Sequence, residues 1–194
     1  EKGKKIDGTA ISIEDKIVAI KSNGMRSNGL TLARKICEAN FGENWHERKL
    51  DSETWGEKLL KPSIICAKGL VDLFGGYKEK SKAKVTGIVH VTGGGILNFK
   101  RILKNDLGVK IDDLFEPHKE FLELQELGPV SEEEAYKTWN MGQCFFITTP
   151  EPENVIKILK SHNLKSKIVG EVIQNNNRIE IQSKGLENKR IELR

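Results

Sequence analysis

Apolar and polar positions alternate along the chain in two rhythms, one of strands and one of helices. Asp15–Lys21 (DKIVAIK) is a short branched-apolar run that predicts a strand. Leu30–Asn40 places Leu30, Ala33, Ile36 and Cys37 on one face at helical spacing. Trp45–Ser52 is polar and reads as loop. Leu59–Phe74 predicts a helix entered at Pro62, carried by Ile64, Ile65, Lys68, Leu70, Val71 and Phe74, and stopped by Gly75-Gly76. Ala83–Gly95 alternates through Val85, Gly87, Val89 and Val91 as a strand should, and Ile96–Gly108 reads as a helix with Gly108 as C-cap. Helices are expected after Pro117 and after Ser131, where Ser131 and Glu134 have capping-box spacing. Gln143–Thr149 is a strand, and residues 151–163 form a helix with Val155, Ile156 and Leu159 inward. Residues 167–173, 178–182 and 189–194 close the chain as strands or a hairpin. No internal repeat, heptad array or low-complexity segment interrupts this order.

Mingled helices and strands with a strand-rich end predict an α+β fold: helices layered on a mixed β-sheet. A strictly parallel doubly wound sheet is disfavoured, because the last three strands have no helices between them. The length of 194 residues suits one domain, 1–194, and 37% apolar with 31% charged residues describes a globular chain with a sizeable core. A net charge of +4 with mixed signs is compatible with a phosphate-bearing ligand and lacks the basic stripe of nucleic-acid binders. Cys37, Cys66 and Cys144 are odd in number, far apart in sequence and without CxxC spacing, so they read as reduced thiols of a cytoplasmic protein. No membrane span or signal peptide is evident. Glu1 in place of a start methionine, within the polar opening EKGKKIDG, leads us to expect part of a longer protein.

Two junctions invite a chemical reading. Thr92-Gly93-Gly94-Gly95 delivers a strand into a helix, and Ser27-Asn28-Gly29 does so again, after an earlier Asn23-Gly24. Glycines admit positive φ and close approach, and a helix N-terminus offers free N–H groups to an anion. Neither junction matches GxxxxGK[ST] or GxGxxG, and a glycine junction of this kind is equally at home as a tight turn. Arg26 has the fork for a phosphate or carboxylate, although an arginine in a polar loop is ordinarily solvated. His90, near the second turn, reads on its own as a satisfied core histidine. Asn140-Met141-Gly142 reads as a C-cap and turn. Asp112-Asp113 and Glu132-Glu133-Glu134 read as solvated capping carboxylates, so no metal site is assigned. No GxSxG elbow supports a serine hydrolase.

The segments SNGMRSNGLTLARKI, KPSIICAKGLVDLF, GIVHVTGGGILNFKRIL and GPVSEEEAYKTWNMGQCFFIT, in that order, resemble the C-terminal domain of aminoimidazole ribonucleotide (AIR) synthetases, the phosphoribosylformylglycinamidine cyclo-ligases. The likeness runs from Glu1 to about Val172. The two glycine turns are shared across a superfamily with formylglycinamidine ribonucleotide synthetase, thiamine monophosphate kinase, selenophosphate synthetase and the hydrogenase-maturation dehydratase. VSEEEAYKTWNMG is the more discriminating stretch.

The resemblance implies a layered α/β/α domain of a homodimeric, ATP- and Mg²⁺-dependent enzyme. Its ATP-binding N-terminal domain has no counterpart in this chain. It implies formylglycinamidine ribonucleotide as substrate, with Ser27, Asn28, Gly29, Thr92, Gly93, Gly94 and Gly95 contacting substrate or phosphate, and with no nucleic-acid or membrane partner. Arg26 and His90 are the catalytic candidates. One departure is plain: the family commonly has histidine where this chain has Arg26, and arginine stays protonated. Trp139 stands where the family often has Phe. A different superfamily activity, or a non-catalytic ligand-binding module, remains an alternative. The isolated fragment is expected to be inactive.

Overall fold

The computed structural model describes residues 5–76 and 79–193; the opening at Glu1 lies outside them. A seven-stranded sheet forms the spine. Its strands are β1 (Lys16–Lys21), β4 (Gly87–His90), β5 (Leu107–Ile111), β6 (Gln143–Thr149), β7 (Ser166–Gln174), β8 (Ile179–Gln182) and β9 (Arg190–Leu193). A two-stranded ladder, β2 (Lys49–Leu50) with β3 (Glu53–Thr54), stands apart. The order across the sheet is β4-β6-β1-β7-β5-β8-β9. Among the described residues only β5 and β8 pair in parallel, and every other neighbour is antiparallel, so the sheet is mixed as expected.

Strand β1 lies inside the sheet, between β6 and β7, and is buried on both faces. Its side chains alternate between two cores, as pleating dictates. Ile17 and Ala19 join the larger core, under α1 (Leu30–Phe41), α2 (Trp55–Leu59), α4 (Lys119–Leu127) and α5 (Glu132–Thr138). Val18 and Ile20 join the smaller one, under α3 (Ala67–Phe74) and α6 (Pro152–Ser161). Helices on both faces of a mixed sheet give the layered α/β/α arrangement.

Three sequence expectations are corrected. The helix expected over 59–74 forms only from Ala67 onward, as α3: α2 already ends at Leu59, and an irregular stretch through Pro62 lies between them. There the Asn23 side chain donates to the Pro62 carbonyl (2.8 Å) and accepts from the Ile64 N–H (3.0 Å), so these groups are satisfied without a helix. The helix expected over 96–108 is a 3-10 turn, Gly95–Arg101, followed by β5. Gly108 sits inside that strand instead of capping a helix. A Cβ there would stand 2.7 Å from the Arg178 carbonyl oxygen, so the neighbouring backbone requires glycine. The helical spacing of Ile96, Phe99 and Leu103 masked the alternation of Leu107, Val109 and Ile111, all of which are buried in the sheet. The polar 45–52 stretch is likewise not plain loop: it holds a 3-10 turn, Trp45–Glu47, and β2.

Candidate functional site

Antiparallel pairing of β1 and β4 with β6 brings three ends to one edge of the sheet: the C-terminal ends of β1 and β4 and the N-terminal end of β6. Both glycine turns emerge there. The 22–29 loop leaves β1 for α1, and the 92–95 turn leaves β4 for the 3-10 turn. They are neighbours, since a Cβ on Gly93 would meet the Asn28 Nδ2 at 3.4 Å.

Neither turn is capped by a side chain. Gly29 is the N-cap of α1 with φ 75°, and Gly94 begins the 3-10 turn with φ 95°; among the described residues neither first turn has a side-chain cap hydrogen bond. Among the described residues the N–H groups of Gly93 and Gly94 have no hydrogen-bond partner, whereas Gly95 N–H donates to the Thr92 carbonyl at 2.7 Å. Ser27, Gly93 and Gly94 are exposed, and Asn28 and Thr92 are half-buried. Two uncapped turns side by side present converging donors to one small region, a geometry suited to phosphate oxygens.

The four glycines divide into two kinds. Gly29 and Gly95 are demanded by the protein itself. A Cβ on Gly29 would lie 2.3 Å from Trp139 Cδ1, and one on Gly95 only 2.0 Å from the Tyr136 carbonyl oxygen. The end of α5 is thus wedged against both turns and sets their separation. Gly93 and Gly94 instead face outward. Asn98 fixes the second turn from below, donating to the His90 carbonyl (3.0 Å) and to Thr92 Oγ1 (3.3 Å).

Arg26 is not the solvated loop arginine its context suggested. Its backbone is left-handed at φ 67°, a conformation that costs a non-glycine residue about 1 kcal/mol or more. The side chain turns inward: Nη1 donates to the Val91 carbonyl (3.3 Å) and the Cys144 carbonyl (3.2 Å), tying the ends of β4 and β6 together. Nη2 faces His90 Nε2 at 2.5 Å. An arginine only donates, so His90 Nε2 accepts and the ring carries its proton on Nδ1. His90 is also no core histidine. It is exposed, stacked on Phe145 at 4.3 Å between ring centres, and held below the ordinary histidine pKa by partial burial and then by the Arg26 charge. In this arrangement Arg26 has no lone pair to take a proton, and that of His90 Nε2 is engaged by Arg26.

Two residues that sequence reasoning left outside the candidate set organise the site. Trp139 Nε1 donates to the Gly29 carbonyl (3.2 Å). Asn140, read as an ordinary cap, is buried; its Nδ2 donates to the Gly24 and Met25 carbonyls (both 2.9 Å) while its Oδ1 accepts from Gly142 N–H (2.9 Å). A Trp-Asn pair between a helix and a buried strand was the available signal. Among the described residues no group of three or more His, Cys, Asp or Glu is placed to hold a metal ion, and no helix is long and apolar enough to cross a membrane.

With this geometry in view, the comparisons with known proteins are specific. Residues 12–182 match the family model "AIR synthase related protein, C-terminal domain". The chain belongs to this family. It is 38% identical over 172 residues to the phosphoribosylformylglycinamidine cyclo-ligase of Methanopyrus kandleri, covering 88% of this chain and 47% of that protein. It is 36% identical over 185 residues to the cyclo-ligase of Carboxydothermus hydrogenoformans, covering 92% and 52%. The chain therefore spans about half the length of the curated relatives it matches. Among solved structures, thiamine-monophosphate kinase from Stenotrophomonas maltophilia superposes with a TM-score of 0.59 at 13% identity, covering 95% of this chain and 55% of that one. HypE of E. coli, a hydrogenase maturation protein, superposes at 0.55 and 18%, covering 97% and 51%. These likenesses show a fold shared by proteins of different names.

Proposed function

We propose that this chain is the C-terminal domain of a phosphoribosylformylglycinamidine cyclo-ligase, one step of purine biosynthesis. The full protein would convert formylglycinamidine ribonucleotide and ATP to aminoimidazole ribonucleotide, ADP and phosphate. The single observation that carries the site reading is the pair of uncapped, adjoining glycine turns. The cyclo-ligase relatives over nearly the whole chain direct it to this reaction. A Thermotoga maritima PurL that shares the fold (TM-score 0.53) is described as complexed with FGAR, which supports a ribotide as the ligand class.

Ring closure needs a floppy ribotide held with its amidine nitrogen against the formamide carbon, and the formamide oxygen made into a leaving group. ATP supplies the phosphoryl group for that activation. We assign ATP and Mg²⁺ mainly to a further N-terminal domain and the homodimer to the full protein, with 1–194 as one domain. This chain's share is positioning and charge. The free N–H groups of Gly93, Gly94 and the first turn of α1, with Ser27 and Asn28 side chains, bind phosphate oxygens at no reorganisation cost. Arg26 holds the two strand ends, and its charge lends positive potential to the edge. His90 presents Nδ1–H as a neutral donor. The arginine in place of the family's histidine is thus a tether and a fixed charge, and proton removal falls to groups outside this pair.

The test is ADP release by the full-length gene product with formylglycinamidine ribonucleotide present or omitted. Ribotide-dependent release with aminoimidazole ribonucleotide formed is expected. A folded, ATP-binding protein that releases none would shift the assignment to a sister activity of the superfamily.

A further inference from the structure

Cys66 and Cys144 are 78 residues apart in sequence, yet their sulfurs stand 3.6 Å apart, and both are free thiols. Their settings differ in ways that matter for thiol chemistry. Cys144 lies in β6 with no exposure at all, and its carbonyl is one of the two that hold Arg26. Cys66 is 4% exposed and is the N-cap residue of α3. It ends the irregular stretch 60–66, which is neither strand nor helix and whose Ile65 is 81% exposed. Small local movement of this surface stretch uncovers Cys66, whereas uncovering Cys144 requires opening the sheet.

We propose that Cys66 and Cys144 form a redox modification site, in which a hydroperoxide oxidises Cys66 and Cys144 resolves it to an intramolecular disulfide. The Cys66 thiolate attacks one peroxide oxygen; the O–O bond breaks, the departing oxygen takes a proton, and Cys66 becomes a sulfenic acid. The Cys144 sulfur then attacks the Cys66 sulfur. The S–S bond forms, the S–O bond breaks, and the hydroxide leaves as water with the Cys144 proton. Two thiols and one hydrogen peroxide thus give one disulfide and two waters.

The division of roles follows from the surroundings. The two sulfurs are in hydrogen-bond contact; taken with Cys144 as donor, this contact, with the Arg26 charge nearby, lowers the Cys66 pKa against the opposing effect of burial. The same contact and burial raise that of Cys144. A helix N-terminus further favours thiolate at Cys66. Closing the sulfur gap to a bond of about 2.05 Å needs about 1.5 Å of approach, and the adaptable side of the pair is the irregular stretch. Asn23 of the 22–29 loop holds that same stretch, and Arg26 of that loop holds Cys144, so the bridge would link two supports of one glycine turn.

Cys37 is the internal control. It is buried in the other core, and burial pushes its thiol up to about 11. The native chain is treated with hydrogen peroxide, then unfolded, alkylated and mapped by peptide mass spectrometry. The expected result is loss of two of three alkylatable thiols, a Cys66–Cys144 cross-linked peptide, Cys37 still alkylated, and full return of all three after dithiothreitol. In Cys144→Ala, a sulfenic acid on Cys66 should accumulate and be trapped by dimedone. Three thiols still alkylated, a bridge that includes Cys37, or Cys66 driven to sulfinic acid with Cys144 untouched would each overturn the proposal. Should Cys144→Ala fail to fold, Cys66→Ala gives the complementary test, with Cys144 and Cys37 both expected to stay alkylatable.

Discussion

Replacing Gly95 and Gly93 separately with alanine distinguishes a glycine that the fold demands from one left open for a ligand. Gly95 has φ 54°, and its added methyl would lie 2.0 Å from the Tyr136 carbonyl oxygen, inside the end of α5. The left-handed backbone costs alanine about 1 kcal/mol, and displacing packed backbone adds about 1–3 kcal/mol. The sum, about 3 kcal/mol, is a large share of the ~5–15 kcal/mol that holds a domain folded. With a urea slope of about 2 kcal/mol per molar, the unfolding midpoint should fall by about 1.5 M. Gly93 has no such constraint: it is exposed, and its methyl would meet only Asn28 Nδ2 at 3.4 Å. Its substitution should move stability by no more than about 0.5 kcal/mol. Yet the methyl sits where a phosphate would approach the Gly93 and Gly94 N–H groups, so ribotide affinity in the full-length protein should drop about tenfold, or about 1.4 kcal/mol. Gly94 cannot separate the two effects, because its φ of 95° and Asn98 Oδ1 at 3.0 Å burden the fold as well. The assays are urea denaturation followed by circular dichroism, and titration calorimetry with the ribotide. Equal midpoints for the two variants, or unchanged affinity in Gly93→Ala, would refute the division of labour.

Trp139→Phe removes the indole donor to the Gly29 carbonyl, which should cost about 1–2 kcal/mol in denaturant unfolding while α5 stays helical by circular dichroism. Asn140→Ala strips partners from the Gly24 and Met25 carbonyls and the Gly142 N–H at once, all buried, so a loss of about 3 kcal/mol or more is expected from the same measurement. His90 has a pKa depressed below 6.5 in the folded chain, so between pH 6.5 and that lower value the unfolded state binds more protons. Its contribution to stability is therefore complete above about pH 6.5 and declines as pH falls through that window. An NMR titration of the His90 ring should give a midpoint below 6.5, and His90→Gln should flatten this part of the stability profile.

The architecture was legible because the elements that build it carry strong local periods. β1, α1, β6 and α6 lie close to where alternation or helical spacing put them. The errors fell where a distant side chain decides the backbone. Pro62 looked like a helix start, but Asn23, 39 residues away, takes up the backbone groups around it. The 96–108 stretch looked helical, but Asn98 binds back toward His90 and Thr92, and the chain re-enters the sheet at Leu107. The glycine turns themselves were visible in the sequence; their division was not, because it depends on the end of α5.

That dependence ties the stretch VSEEEAYKTWNMG to the two glycine turns. Ser131 caps α5 by accepting from the Glu134 N–H at 3.2 Å. The far end of the same helix delivers the Tyr136 carbonyl against Gly95 and the Trp139 indole against Gly29. Asn140 then fixes the carbonyls just before Arg26, and Arg26 reaches across to Val91 and Cys144. A ligand held by both turns depends on their spacing, and that spacing is the width of one packed helix end. Interiors at near-crystalline density do not absorb such displacements smoothly. Changes at Trp139 or Asn140 should therefore reach the binding of a ligand they never touch.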